Sequence, residues 1–357
     1  ATNFQEILEQ VWWRLDTALD LEMIRCSAML GALEALESGT TAIIDHHESA
    51  NAIEGSLDVI AAACAQVGVR VLPAYGITDR HGADGARRGL EENRRYIEAG
   101  NKGLVGIHAA FTCTDESLRA AAELAEELGV GVHIHVCEGV GDVDAPGRLE
   151  GLTRDDWLLS HCVHLPTEHT LRGTILHNPM SNLNNAVGYA DPRRFANPVA
   201  LGTDGIGGNV IEAFRLAYVM QRSVDVTCGP DTAWGWLETG WDLMPEARED
   251  EVTWSYDPMD PWHIAFTPGV RPLEVRVAGE TVLKDGVATK VDATEVRAKA
   301  AGQATRWVSS IAAALVLSAS SAFGRARIWL KPSAGGMVMA CSHAWNPLIA
   351  TGGLLTL

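Results

Sequence analysis

Between residues 40 and 205 the chain repeats one pattern: a short apolar run, closing in nearly every case on histidine, asparagine or aspartate, then a longer helical or turn-rich stretch. The runs fall at 40–47, 70–76, 104–111, 130–136, 157–165, 174–179 and 199–205. Their lengths and β-branched content read as strands. Strands that alternate with helices need crossover connections, which lay successive strands side by side in a parallel sheet. A doubly wound open sheet would gather its polar ends at one switch point. Polar ends on nearly every strand favour instead an α/β fold of the (β/α)8 TIM-barrel kind, with its site at the C-terminal rim. Helical spacing at 53–67, 86–98 and 115–128 fills the gaps between runs, with Asp115 as the expected N-cap of the last. No Gly-x-Gly-x-x-Gly turn and no phosphate loop accompany these strands.

The fourth run carries the densest chemistry. In Val132-His133-Ile134-His135-Val136 the period is two, so His133 and His135 point to one side of a strand, and Glu138 follows where a loop begins. An imidazole at the last inward position, with a carboxylate one loop step beyond, can bind a metal and move a proton beside it. A lone strand histidine is more often simply buried and hydrogen-bonded, and His133, one layer deeper, reads as barrel filling. The other strand ends change the balance for His135. His108, His161, His177-Asn178 and Asp204 close four further runs. Zinc accepts histidine nitrogen and carboxylate oxygen, and a catalytic site needs a base for water and an acid for the leaving group.

Composition removes several alternatives. Twenty-eight Lys and Arg stand against 46 Asp and Glu, a formal charge of −18, which argues against nucleic acid or an anionic membrane as partner. Seven scattered cysteines form no Cys-x-x-Cys pair, so neither a disulfide framework nor a zinc knuckle is expected, and a reducing, cytoplasmic setting fits. No secretory signal is visible at the start.

Outside the repeat, residues 4–37 read as one helical stretch stopped by Gly39. Residues 225–263 hold five tryptophans among prolines and glycines and resist assignment. Residues 273–286 read as a hairpin with a tight Asp285-Gly286 turn, and 294–307 as a charged helix. The uncharged, serine-rich 308–324 is too short for a membrane span and opens a tail expected to be loosely ordered or non-native. The domain expectation is a barrel over 1–224, an irregular segment with the remnant of a small β domain over 225–307, and an atypical tail over 308–357.

The order His-x-x-Glu at 135–138, Ser-His-Cys-Val-His at 160–164, His-Asn-Pro-Met-Ser-Asn at 177–182 and Gly-Thr-Asp-Gly at 202–205 resembles the amidohydrolase superfamily, in its branch of amino- and chlorohydrolases. Within that branch the run from Asp45-His46-His47-Glu48 to Asp58 is similar to SsnA-type aminohydrolases. The resemblance implies a divalent metal, zinc or another such as Fe2+, held by His135, His161 and Asp204. It implies that Asp204 takes a proton from the attacking water, that Glu138 shuttles one to a ring nitrogen or leaving amine, and that His161 holds or polarises the water. His108 and Asn182 become substrate-side contacts by the same carry-over. Strand alternation lets only one of His46 and His47 face the barrel, and His47 is a candidate to reach substrate from the rim.

Family members begin with a strand carrying His-x-His, and this chain starts with the helix that follows it. The interval from Glu138 to His161 is also tighter than the family's. The chain as given is therefore expected to bind zinc weakly and to show little or no hydrolase activity until such a strand is restored. The activity implied is deamination of an amino-substituted heterocycle, purine- or pterin-like. Dechlorination or cyclic-amide hydrolysis on the same scaffold is the enzymatic alternative, and an inactive remnant that only binds is the other. A small heterocycle is the expected partner. Oligomeric state stays open, although relatives commonly form dimers or larger assemblies.

Overall fold

Each apolar run of the repeat forms a strand. β1 (Ala42–His47), β2 (Arg70–Ile77), β3 (Val105–Ala109), β4 (Val132–Val136), β5 (Leu158–His161), β6 (Thr174–His177) and β7 (Val199–Leu201) lie parallel, in sequence order. The computed structural model describes residues 1–320, with side chains as far as Arg306. Period-two alternation divides each strand between two environments. Ala74, Leu104, Leu158, Leu176 and Ala200 pack together on the concave side of the curled sheet. Ile107, Val132, Ile134, Val136, Leu159 and Ile175 face outward into a larger core with Leu118, Ala121 and Leu124 of a covering helix. His133 and His135 therefore fall on the concave side because their apolar neighbours are taken by the outer core.

The helices close where the sequence offers caps. α1 (Leu21–Glu37) starts at Asp20, whose carboxylate accepts the Met23 N–H, so the stretch read as one helix over 4–37 is broken there. Before the break, Phe4–Ala18 winds through an α-helix, a π-helical turn and a second α-helix. α2 (Ser56–Val67), α3 (Gly82–Glu98) and α4 (Asp115–Leu128) connect the first strands. Thr114, not Asp115, caps α4: its hydroxyl accepts the Ser117 N–H, while Asp115 enters the first turn, where negative charge suits the helix dipole. α5 (Pro179–Asn184) is a short helix after β6, and α6 (Val210–Val224) follows β7.

Beyond α6 the tryptophan-rich segment forms short helices at Pro230–Glu238, Gly240–Leu243 and Pro261–Phe266, with β8 (Glu251–Trp254) between the last two. β9 (Pro272–Val277), β10 (Glu280–Lys284) and β11 (Val287–Ala288) complete an antiparallel sheet in the order β11-β10-β9-β8. The single hairpin expected over 273–286 is thus a meander with two turns. Ala278 takes a positive φ of 50° at the first, a conformation its side chain does not advertise, and Asp285-Gly286 makes the second. Val275, Val282 and Leu283 of this sheet share a core with Leu30, Leu33, Leu57 and Ile60. The final described helix runs Ala293–Ser320, so residues 308–320 of the expected tail continue it, and 321–357 lie outside the described residues. Among the described residues no helix is long and apolar enough to cross a membrane.

Among the described residues β1 pairs only with β2, and β7 only with β6. A cleft of about 560 Å³ opens between these two edges. α1 forms one wall, Trp234, Trp241 and Trp254 line another part, and the concave ends of β1, β4 and β7 face in.

Candidate functional site

The C-terminal ends of β4, β5 and β7 turn sharply. Cys137, His161, Cys162 and Asp204 all have positive φ, between 48° and 72°. Non-glycine residues enter this region only when their surroundings hold them there. Here the turns swing Glu138, His161 and Asp204 towards one another. Pairing of Val136 with His161 sets β4 and β5 level, so the loop after one reaches the end of the other. His161 Nε2 lies 3.6 Å from Glu138 Oε2 and 3.9 Å from Asp204 Oδ2. One ligand atom from each of the three lies within 4.8 Å of the others. His135 stands beside them, its ring centroid 5.4 Å from that of His161.

Hydrogen bonds at the back of each ring fix which nitrogen faces the cluster. His135 Nδ1 is 2.6 Å from the His108 carbonyl, so it donates there and Nε2 keeps the lone pair. His161 Nδ1 is 2.8 Å from Asn182 Oδ1, which likewise leaves Nε2 as the lone-pair nitrogen towards Glu138 and Asp204. Imidazoles that hold metals are commonly oriented this way. Burial, then the neighbouring His161, lowers the proton affinity of His135 and favours its neutral form. Burial, then the charge of Asp204, pushes Glu138 up to about 8, so at neutral pH it holds a proton.

The short helix α5 supplies the outer support. The Ser181 hydroxyl donates to Asp204 Oδ2, and Asn185 Nδ2 lies 3.5 Å from Glu138 Oε1. Asn182, expected from the sequence on the substrate side, is fully buried and its Oδ1 meets His161 Nδ1. Ser181 went unnoticed, although it lies one position from Asn182 in the same motif. Asp142 was also missed: its carboxylate accepts the N–H groups of Phe111 and Cys137, tying the loop after β3 to the turn before Glu138.

The remaining candidates divide. His46 is the residue of the 46–47 pair that joins the interior imidazoles: its Nδ1 is 2.9 Å from His133 Nδ1 and its ring lies 4.6 Å from that of His135. His47 contacts Ser49 Oγ at 2.8 Å and packs edge-on to Tyr75, yet also lines the cleft; burial lowers its pKa to about 3. His108 Nδ1 meets Thr112 Oγ1 at 2.7 Å, while Nε2 faces Glu48 Oε2 at 3.9 Å. Glu48 is itself buried against Arg80, which also pairs with Asp16. His177 turns away from the cleft, against Tyr189 and Trp236, whereas Asn178 lines it and donates to Ser160 Oγ at 3.0 Å.

Comparison with known proteins gives this arrangement a context. Residues 2–238 match the model of the amidohydrolase family. The 5'-deoxyadenosine deaminase of Methanopyrus kandleri is 30% identical over 342 residues, covering 81% of this chain and 77% of its own. The 5-methylthioadenosine/S-adenosylhomocysteine deaminase of Symbiobacterium thermophilum is 31% identical over 230 residues, covering 57% of this chain and 51% of its own. Among solved structures, an adenosine deaminase from Xanthomonas campestris with bound zinc superposes with a TM-score of 0.72 at 21% identity, over 87% of this chain and 81% of its own. That last likeness concerns the fold.

Proposed function

Because the chain belongs to the amidohydrolase family, we propose that it hydrolyses a C–N bond, deaminating the adenine ring of a nucleoside of the 5'-deoxyadenosine type. The observation that carries this reading is the meeting of Glu138, His161 and Asp204 beside His135, with each histidine's lone-pair nitrogen set by a partner behind it. The substrate class comes from the deaminases that resemble the chain.

Two imidazoles and a carboxylate form a donor set suited to zinc, and His135, His161 and Asp204 would hold it. Bound there, a divalent ion supplies a Lewis acid that makes water a nucleophile at neutral pH. Asp204 accepts a proton from the water that adds to the amino-bearing ring carbon. Glu138, protonated at neutral pH, delivers a proton to the ring nitrogen or the departing amine. His161 holds the water's approach, with Asn182 keeping its ring in place. The proton taken by Asp204 goes to whichever of those two nitrogens Glu138 did not serve, and the hydroxyl proton restores Glu138. As the C–N bond breaks, ammonia leaves and the ring carbon keeps the oxygen as a carbonyl. Ser181 fixes the carboxylate of Asp204 in its working position.

Purified chain titrated with zinc and offered adenosine, 5'-deoxyadenosine and methylthioadenosine should release ammonia from at least one of them. The same titration tests the expectation of weak zinc binding. No ammonia from any adenine nucleoside at saturating zinc, by the chain alone or joined to a strand carrying His-x-His, would overturn this function.

A further inference from the structure

Below the rim, the cleft floor holds an arrangement that the deamination chemistry does not use. His46 on β1 and His133 on β4 bring their Nδ1 atoms within 2.9 Å, and His135 closes the third side with ring centroids 4.6 and 5.6 Å away. One nitrogen from each of the three lies within 4.8 Å of the others. All three border the cleft, so an ion can reach them. No carboxylate belongs to this group.

We infer that His46, His133 and His135 form a second binding site, for a divalent transition-metal ion held by imidazole nitrogen alone. Three imidazoles are a known zinc set, with the fourth position open, and zinc–nitrogen bonds of about 2.1 Å put the nitrogens of a tetrahedral site about 3.4 Å apart. The His46–His133 pair would need to open by only about half an ångström to reach that spacing. In the ion's absence the two Nδ1 atoms share one proton. On binding, that proton passes to Nε2 of the ring that held it, the other ring already carrying its N–H there, and both Nδ1 lone pairs turn to the ion. His135 already presents Nε2, since its Nδ1 is bound to the His108 carbonyl. A glycine makes room for His46: a Cβ on Gly76 would stand 2.4 Å from His46 Nε2. Imidazole ligation favours zinc, copper or nickel over calcium or magnesium. His135 has a single nitrogen to offer, so the deep ion and the rim ion compete for it.

The test reads ion binding and not turnover, which separates it from the fate of the deaminase reading. Cobalt(II) and zinc(II) are titrated into the full chain carrying His161→Asn and Asp204→Asn, which leaves the deep cluster intact. One equivalent should bind, with X-ray absorption showing imidazole neighbours. Adding His133→Asn should weaken binding by more than the ten- to hundredfold that loss of an outer partner costs. Gly76→Ala in the same background removes no histidine but displaces His46, and should weaken binding at least about tenfold. No ion bound by the doubly substituted chain would overturn the proposal. So would binding unaffected by both His133→Asn and Gly76→Ala, which would assign the ion to exposed histidines such as His263.

Discussion

At the rim, where β4, β5 and β7 end, Glu138 and Asp204 flank the His161 imidazole, whereas one inward position deeper three imidazoles meet with no carboxylate among them. The carboxylates retain some contact with solvent, at 15% and 19% side-chain exposure, while His46 and His133 are almost fully enclosed. The two groups share His135 and a strand, yet differ in what they can do. Groups that exchange protons must reach both substrate and solvent, so they sit where the strands end. Groups that only offer lone pairs can be enclosed, because neutral imidazole costs far less to bury than a carboxylate. On the proposed roles, depth separates a rim that both ligates and moves protons from a floor that can only ligate.

Replacing Asp204 with Asn should break that division most severely, since the proposed mechanism asks one residue to be both base and ligand. Ammonia release should fall by at least about ten-thousandfold, at the top of the range for an acid–base group, together with the rim ion. Activity within tenfold of the parent would show that the mouth is not the reactive end. Glu138→Gln should cost about a hundred- to ten-thousandfold in turnover with metal content unchanged, measured by single-turnover ammonia release and metal analysis. A loss under about threefold would remove Glu138 from proton delivery. Asn182→Ala frees the His161 ring without touching substrate, and should lower metal affinity or activity about ten- to hundredfold. If KM alone rose, Asn182 would be a substrate contact after all.

The smallest effect concerns the support under Glu138. Burial raises the Asp142 carboxyl to about 7, so the folded protein holds that proton more tightly than the unfolded chain. Its contribution to stability is present below about pH 4 and is lost as pH rises through about 7. Asp142→Asn should remove this decline, so that the gap between the parent and variant stability curves changes across that range. At neutral pH it should also cost about 1–3 kcal/mol, because one of the two N–H groups loses its acceptor. Parallel curves across that range would show that Asp142 stays charged.

The sequence made the rim legible and the depth nearly illegible, for a physical reason. His135, His161 and Asp204 stand at strand ends, and strand ends announce themselves by the change from apolar to polar residues. His46 and His133 sit inside strands, where each has an ordinary reading as filling. Only the curl of the sheet, which turns β1 towards β4 across two intervening strands, brings their nitrogens together. Alternation narrowed the 46–47 pair to one inward residue but could not choose between them. The helix break at Leu19-Asp20 was visible in principle, since an aspartate before Leu21-Glu22-Met23 is an N-cap signal overridden by continuous apolar spacing. The Ala278 turn offered no such signal, because alanine rarely takes that conformation. Asn182 was found by motif, but its bond to His161 was not legible, since a motif gives a residue's company and not its direction.

The left-handed residues at the rim also shape how the chain tolerates change. Cys137, His161, Cys162 and Asp204 each hold a conformation that costs about 1 kcal/mol or more and that glycine adopts freely. A random library sorted for thermal resistance should therefore enrich glycine at all four positions. The same library sorted for ammonia release should keep glycine at 137 and 162 and purge it at 161 and 204. Four neighbouring positions under one backbone constraint would thus separate into two histories, one free to relax and one held taut by its chemistry.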